Sequence, residues 1–150
     1  MQYLTARDRT VREMQTHLDS KDFGEADIDA AIARLIELEL LDDRRYAKRY
    51  VETRLATKPL SRAHLAQQMQ AHGVPQDCID EALRAVSSDD ELQNALAVAQ
   101  KYARQFAALE PQKRRDRVLL RLQARGYSYD VIRKAADLAL SDAPTIMEDV

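Results

Sequence analysis

The feature that most restricts this chain is an internal repeat. Six apolar positions, Met14, Leu18, Phe23, Ile28, Ile32 and Leu35, recur at a constant offset of 51 as Leu65, Met69, Val74, Ile79, Leu83 and Val86. A further step of 53 gives Val118, Leu122, Tyr127, Ile132, Ala136 and Ala139. Within each copy the spacing puts one apolar stripe on each of two helices, with a tight turn between them. Gly73 and Gly126 hold equivalent turn positions, where a left-handed residue ends the first helix, and Asp22 stands there in the first copy. The segments 43–56 and 89–108 lie in equivalent places between the hairpins and read as long helices. A three-helix unit of this size cannot bury both faces alone, so its neighbours must cover it. The expected fold is all-α, an elongated, curved helical solenoid of tandem three-helix repeats. The expected divisions are a first helical repeat over 1–40, a second over 41–88, a third over 89–140 and an acidic C-terminal tail over 141–150.

Local signals agree with helices throughout. Thr10 and Glu13 form a capping box before Met14 and Leu18. Ile28, Ile32, Leu35 and Ile36 give the next stripe, and Asp42 or Asp43 caps the helix that follows. Pro59 and Ser61 end one helix and begin another, Pro75 suits a first helical turn, and Ser88 with Glu91 reads as a second capping box. Pro111 opens the last hairpin and Ser128 caps its second helix. Three Gly, four Pro and eight Phe or Tyr are few for a β-protein. No segment alternates with period two for long enough to make a strand.

Several function classes fall away. One cysteine, Cys78, can form no internal disulfide, and it sits beside Ile79 as a core residue. No apolar run approaches the roughly 20 residues of a membrane span, which gives the expectation of a cytoplasmic protein without membrane contact. His17, His64 and His72 lack metal-ligand spacing, and neither a phosphate-cradling glycine loop nor a nucleophile elbow occurs. The expectation is a non-enzyme without cofactor or metal.

Charge is where the chain becomes specific. The formal net charge of −2 hides a segregated distribution. From Glu13 to Asp43 ten acids face Lys21 and Arg34, whereas from Arg44 to Arg62 seven bases face only Glu52. From Lys113 to Lys134 eight bases face Asp116 and Asp130. Such alternation suits oriented contact with a partner more than bulk attraction to nucleic acid. In "LDDRRYAKRYVETRL", helical spacing puts Tyr46, Ala47, Tyr50 and Val51 on one arc and Arg44, Arg45, Lys48 and Arg49 on the opposite one. Arg54 falls within the apolar arc and needs a carboxylate or carbonyl partner there. In the last hairpin Arg114, Arg117, Arg121 and Arg125 form a single-sign stripe beside Val118 and Leu122. Guanidinium forks bind carboxylates and phosphates alike, so either an acidic protein surface or a nucleic-acid backbone fits this stripe.

Two alternatives arise from the same residues. "HLAQQMQAHGVPQDCIDEAL" has the spacing of a helix-turn-helix DNA reader, but Asp77, Asp80 and Glu81 on its second helix repel phosphates. A helical scaffold binding an acidic protein partner is the other.

The stretches "LLDDRRYAKRYVETRL", "LAQQMQAHGVPQDCIDEAL" and "VLLRLQARGYSYDVIRKA", in this order and spacing, resemble the RecX regulatory family, over about Tyr3 to Leu140. The resemblance implies tandem three-helix repeats and a regulator, mainly an inhibitor, of the RecA recombinase in homologous recombination, DNA repair and the SOS response. It implies a partner, the RecA filament on single-stranded DNA, bound in its groove so that filament growth, ATP hydrolysis and strand exchange are limited. It further implies a monomer with at most weak direct DNA binding. On this chain Arg44, Arg45, Lys48, Arg49, Arg114, Arg117, Arg121 and Arg125 become the candidate contacts to RecA or to DNA.

Overall fold

A computed structural model describes residues 2–148, with side chains for all of these except 5, 6 and 142–148. The described residues form helices α1 (Gln2–Ala6), α2 (Val11–Ser20), α3 (Glu25–Glu37), α4 (Asp43–Thr57), α5 (Arg62–Ala71), α6 (Gln76–Leu83), α7 (Ser88–Gln105), α8 (Pro111–Ala124) and α9 (Tyr129–Glu148), with no strand among them. The fold is all-α, built of three-helix repeats. Helix α9 runs to Glu148, past Leu140 where the apolar pattern ends. Of the acidic stretch 141–150, Asp149 and Val150 and the side chains of Asp142 and Glu148 lie outside the described residues.

The chain divides into two compact units. One is Met1–Thr53 with Ala66–Ala85, the other Arg54–Leu65 with Val86–Val150. In the first, Met14, Ile28, Ile32 and Leu41 form a core against which Tyr3, Leu4, Val11, Leu18 and Leu35 pack. In the second, α7 packs most extensively on α9. Ala95, Ala99, Ala103, Ala135, Ala136 and Ala139 keep that contact close, and Val118, Leu122, Tyr127 and Ile132 fill it. All six repeat positions are buried in the second and third copies. In the first copy Phe23 is 52% exposed, and Ile36, expected on the stripe, is 48% exposed.

Each unit contains one joint of the same design, in which a hairpin turn meets the start of the preceding hairpin. Gly73 has φ +85°, and a Cβ there would stand 2.6 Å from Arg12 Cβ. Thr10 Oγ1 donates to the carbonyl of the neighbouring His72 at 2.6 Å. Gly126 has φ +86°, and its Cβ would stand 2.7 Å from His64 Cβ and from Ser61 Oγ. Here the Ser61 N–H donates to the Arg125 carbonyl at 3.0 Å. Thr10 and Ser61 are repeat equivalents, as are His72 and Arg125. The glycines are therefore needed twice over, for left-handed backbone and for close approach. In the first copy Asp22 takes φ 65°, a conformation aspartate tolerates.

Carboxylates complete the helix starts at these joints. Asp43 accepts from the Val11 N–H at 3.0 Å, and Glu91 accepts from the Arg62 N–H at 2.6 Å. Each acid belongs to the long helix that follows a hairpin and reaches back to that hairpin's first helix, whose leading N–H groups lack intrahelical partners. This corrects two expectations. The box at α7 is Ser87 with Asp90, one residue before Ser88 and Glu91, because Glu91 is engaged at α5. Pro75 is the N-cap of α6, just outside the first turn. Thr10 and Glu13 do form their capping box, and Asp42 accepts from the Arg45 N–H to cap α4.

Candidate partner-contact surface

The two basic segments differ once their partners are seen. On α4 the apolar arc is anchored: Tyr46, Ala47 and Val51 are buried, and the Tyr50 hydroxyl donates to Gln68 Oε1 at 2.6 Å. The opposite arc is largely occupied. Arg44 bridges Glu81 at 2.5 Å and Asp77 at 3.4 Å, which raises its pKa. Arg49 pairs with Asp8 at 3.2 Å. Arg45 donates to the Glu39 carbonyl at 2.8 Å, just beyond the end of α3. Lys48 is exposed and has no ion pair among the described residues. Exposed pairs like these contribute little stability, yet they neutralise much of the charge this face shows to a partner.

The Arg114–Arg125 stripe divides in two. Arg114 is half-buried and closes the end of α7, its Nε and a terminal nitrogen donating to the Ala103 carbonyl at 2.9 and 2.7 Å. Arg125 is only 8% exposed; it donates to the Pro59 carbonyl at 2.9 Å and to the Tyr102 hydroxyl at 3.3 Å. These two arginines hold backbone inside the second unit, so neither stands on the outer face with the other two. Arg54, where α4 passes into the second unit, is half-buried.

Arg117 and Arg121 remain exposed, with no carboxylate in ion-pair range among the described residues. Both lie over aromatic rings at the C-terminal end of α7, Tyr102 in the helix and Phe106 at its C-cap. The Arg121 guanidinium is 5.2 Å from the Tyr102 ring centre and 5.7 Å from that of Phe106, and Arg117 is 5.9 Å from Phe106. Tyr102 and Phe106 stack on each other at 6.2 Å, and Lys101 stands 5.3 Å from Tyr102. The hydrogen bond from Arg125, with the positive field of Arg125, Lys101 and Arg121, outweighs burial and holds the Tyr102 phenol below its usual pKa. Cation–π contact orients the two guanidinium planes while leaving their edge donors free. Tyr102, Phe106 and Lys101 were not singled out from sequence. The one-turn spacing of Tyr102 and Phe106 was legible, but the pairing with α8 depends on tertiary packing.

Helix α6 exposes Asp77 and Asp80, and Arg44 already lies on Asp77 and Glu81, which suits a packed hairpin more than a groove reader. Among the described residues no cluster of His, Cys, Asp and Glu is arranged to hold a metal. No helix among them is long and apolar enough to cross a membrane. Cys78 is buried, and burial pushes its thiol pKa up, away from nucleophilic character.

Comparison with known proteins agrees with this architecture. Family models describing the first, second and third three-helix domains of RecX match residues 1–35, 42–83 and 89–136. The chain is 34% identical to a regulatory protein RecX of Trichlorobacter lovleyi, covering 89% of this chain and 88% of that one. It is 31% identical to a regulatory protein RecX of Bacillus subtilis over 91% of its own length, but spans only 52% of that longer relative. A crystal structure of RecX from Lactobacillus salivarius superposes with a TM-score of 0.78 at 25% identity, covering 92% of this chain and 90% of that one. With three-helix domains matched along its length and a relative of similar size, the chain belongs to the RecX family of regulatory proteins.

Proposed function

We propose that this chain regulates the RecA recombinase, mainly as an inhibitor. It binds in the groove of the RecA filament on single-stranded DNA and limits filament growth, ATP hydrolysis and strand exchange. The supporting observation is family membership carried by all three domains, since RecA regulation is the role for which that family is known. The exposed cations of α8 add a surface able to meet a negatively charged partner. On this reading the protein acts in the cytoplasm as a non-catalytic monomer.

The test is single-stranded-DNA-dependent ATP hydrolysis by RecA as the full chain is titrated in. A fall at substoichiometric protein supports regulation by capping filament ends, and a fall only near saturation supports binding along the groove. No effect, together with tight duplex binding by the chain alone, overturns the proposal in favour of a DNA-binding protein.

A further inference from the structure

The outward face of α8 carries more than charge. Taking Arg117 as reference, helical spacing puts Lys113 and Arg121 one turn to either side of it and Leu120 beside Arg117 and Arg121, two turns from Lys113 on the same side. Leu120 is 59% exposed, while its neighbours Val118 and Leu122 are fully buried. A large aliphatic side chain thus stands in solvent among three cations that have no acidic partner among the described residues. Two acids of α8 and α9 are engaged elsewhere. Asp116 accepts from Gln112 at 3.0 Å, and Asp137 of α9 pairs with Arg115 at 2.8 Å.

Two classes of partner present negative charge, and the aromatic rings discriminate between them. A surface for single-stranded nucleic acid offers bare ring faces on which bases stack. Tyr102 and Phe106 are half-buried, and the guanidinium groups of Arg117 and Arg121 already lie over them. What is free is the set of guanidinium edges, which take carboxylates in bidentate fashion, and the aliphatic Leu120 in their midst. Phosphodiester backbone has nothing to bury against Leu120. A protein segment that alternates carboxylates with an aliphatic side chain matches both features.

We infer that Lys113, Arg117, Leu120 and Arg121 form a docking surface for an acidic protein segment bearing an apolar anchor, rather than a track for nucleic acid. The inference rests on the regulatory reading above and specifies the chemistry of the partner's contact. Tyr102 and Phe106 act as positioning residues that pre-orient the two arginines, lowering the ordering cost of binding.

The test uses the full chain with two labelled probes, a short peptide alternating glutamate pairs with leucine and an oligothymidylate, followed by fluorescence anisotropy. Arg117→Glu with Arg121→Glu is expected to weaken peptide binding about tenfold or more, and Leu120→Ser about threefold. Oligothymidylate binding should fall less than peptide binding on charge reversal and be unchanged by Leu120→Ser, and helicity by circular dichroism should be retained because all three side chains are exposed. No peptide binding by the unmodified chain, an unaffected Leu120→Ser variant, or a larger loss for oligothymidylate than for peptide overturns the inference. The RecA titration separates the two proposals. If unmodified protein inhibits ATP hydrolysis and the charge-reversed variant inhibits equally, the surface is wrong and the regulatory reading stands. If unmodified protein is inert, the regulatory reading fails whatever the peptide does.

Discussion

The joint in the first unit and the joint in the second solve one geometric problem with different chemistry. In both, a left-handed glycine brings a turn against the start of the preceding hairpin, and the carbonyl before that glycine accepts one hydrogen bond. The polar groups around that shared frame diverge. In the first unit His72 Nδ1 lies 3.0 Å from Glu13, which also takes Arg7 at 3.0 Å and the Thr10 N–H at 3.1 Å. In the second unit the residue equivalent to His72 is Arg125, which spans to Pro59 and Tyr102. One joint centres on the Glu13 carboxylate, whose pKa folding lowers, the other on the Arg125 guanidinium, which holds a carbonyl and a hydroxyl. Backbone demand is therefore common to the repeats, and side-chain chemistry is local to each.

The largest effects should come from what the joints share. Gly126→Ala and Gly73→Ala each force a Cβ into left-handed backbone and to within 2.7 Å of a neighbouring side chain's Cβ. The expected cost is about 3 kcal/mol apiece, combining backbone strain with overpacking. Urea unfolding followed by far-ultraviolet circular dichroism measures it. A loss below about 1 kcal/mol at either site would mean that the close approach relaxes freely and that the joints are not equivalent.

A smaller pair of effects should separate the joints. Arg125→Met removes the donors to Pro59 and Tyr102 while keeping much of the aliphatic bulk, and should cost about 2 kcal/mol with little dependence on pH. Glu13→Gln preserves the capping geometry, since glutamine can still accept from the Thr10 N–H, and removes only the charge. Burial pushes the Glu13 carboxyl up, but the bonds from His72 and Thr10 and the charge of Arg7 together hold it below the usual range. A carboxyl whose pKa is lowered by folding stabilises the protein above its ordinary pKa, and that contribution is lost as pH falls through the lower folded value. Glu13→Gln should therefore cost about 1 kcal/mol at neutral pH, with the gap closing as pH drops below about 4. A pH-independent gap for Glu13→Gln, or a pH-dependent one for Arg125→Met near neutrality, would break the contrast.

How much of this was legible in the sequence follows from the same division. The repeat, the all-α class, the two turn glycines and the Thr10–Glu13 box could all be read, because periodicity and capping are local. Reach across the fold was not local. Glu91 looks like a capping-box acid for Ser88 until it is seen on the Arg62 N–H, which leaves Ser87 and Asp90 to make the box. Arg114 and Arg125 share helical spacing with Arg117 and Arg121, yet the first pair holds carbonyls inside the unit. One signal for Arg125 was present, since it precedes Gly126 as His72 precedes Gly73, in the place where a joint must form. Phe23 matched the stripe by spacing alone; at 52% exposure it shows that the first copy's turn is not packed like the other two.

The smallest expected effect tests how fully the second unit is satisfied. Tyr127 is 5% exposed, and its hydroxyl has no hydrogen-bond partner among the described residues. Burial pushes its pKa up to about 12 against the opposing pull of Arg125. Its repeat equivalents are Val74 and Phe23, neither of which carries a polar atom on its side chain. A buried hydroxyl without a partner forfeits its hydration, so removing it while keeping the ring should not cost stability. Tyr127→Phe is expected to be neutral or to stabilise by up to about 1 kcal/mol, read as a rise in the urea midpoint at unchanged slope. A loss of stability would mean that the hydroxyl is engaged in solution, and that the second unit depends on Tyr127 as well as on Arg125 for the polar chemistry specific to its copy.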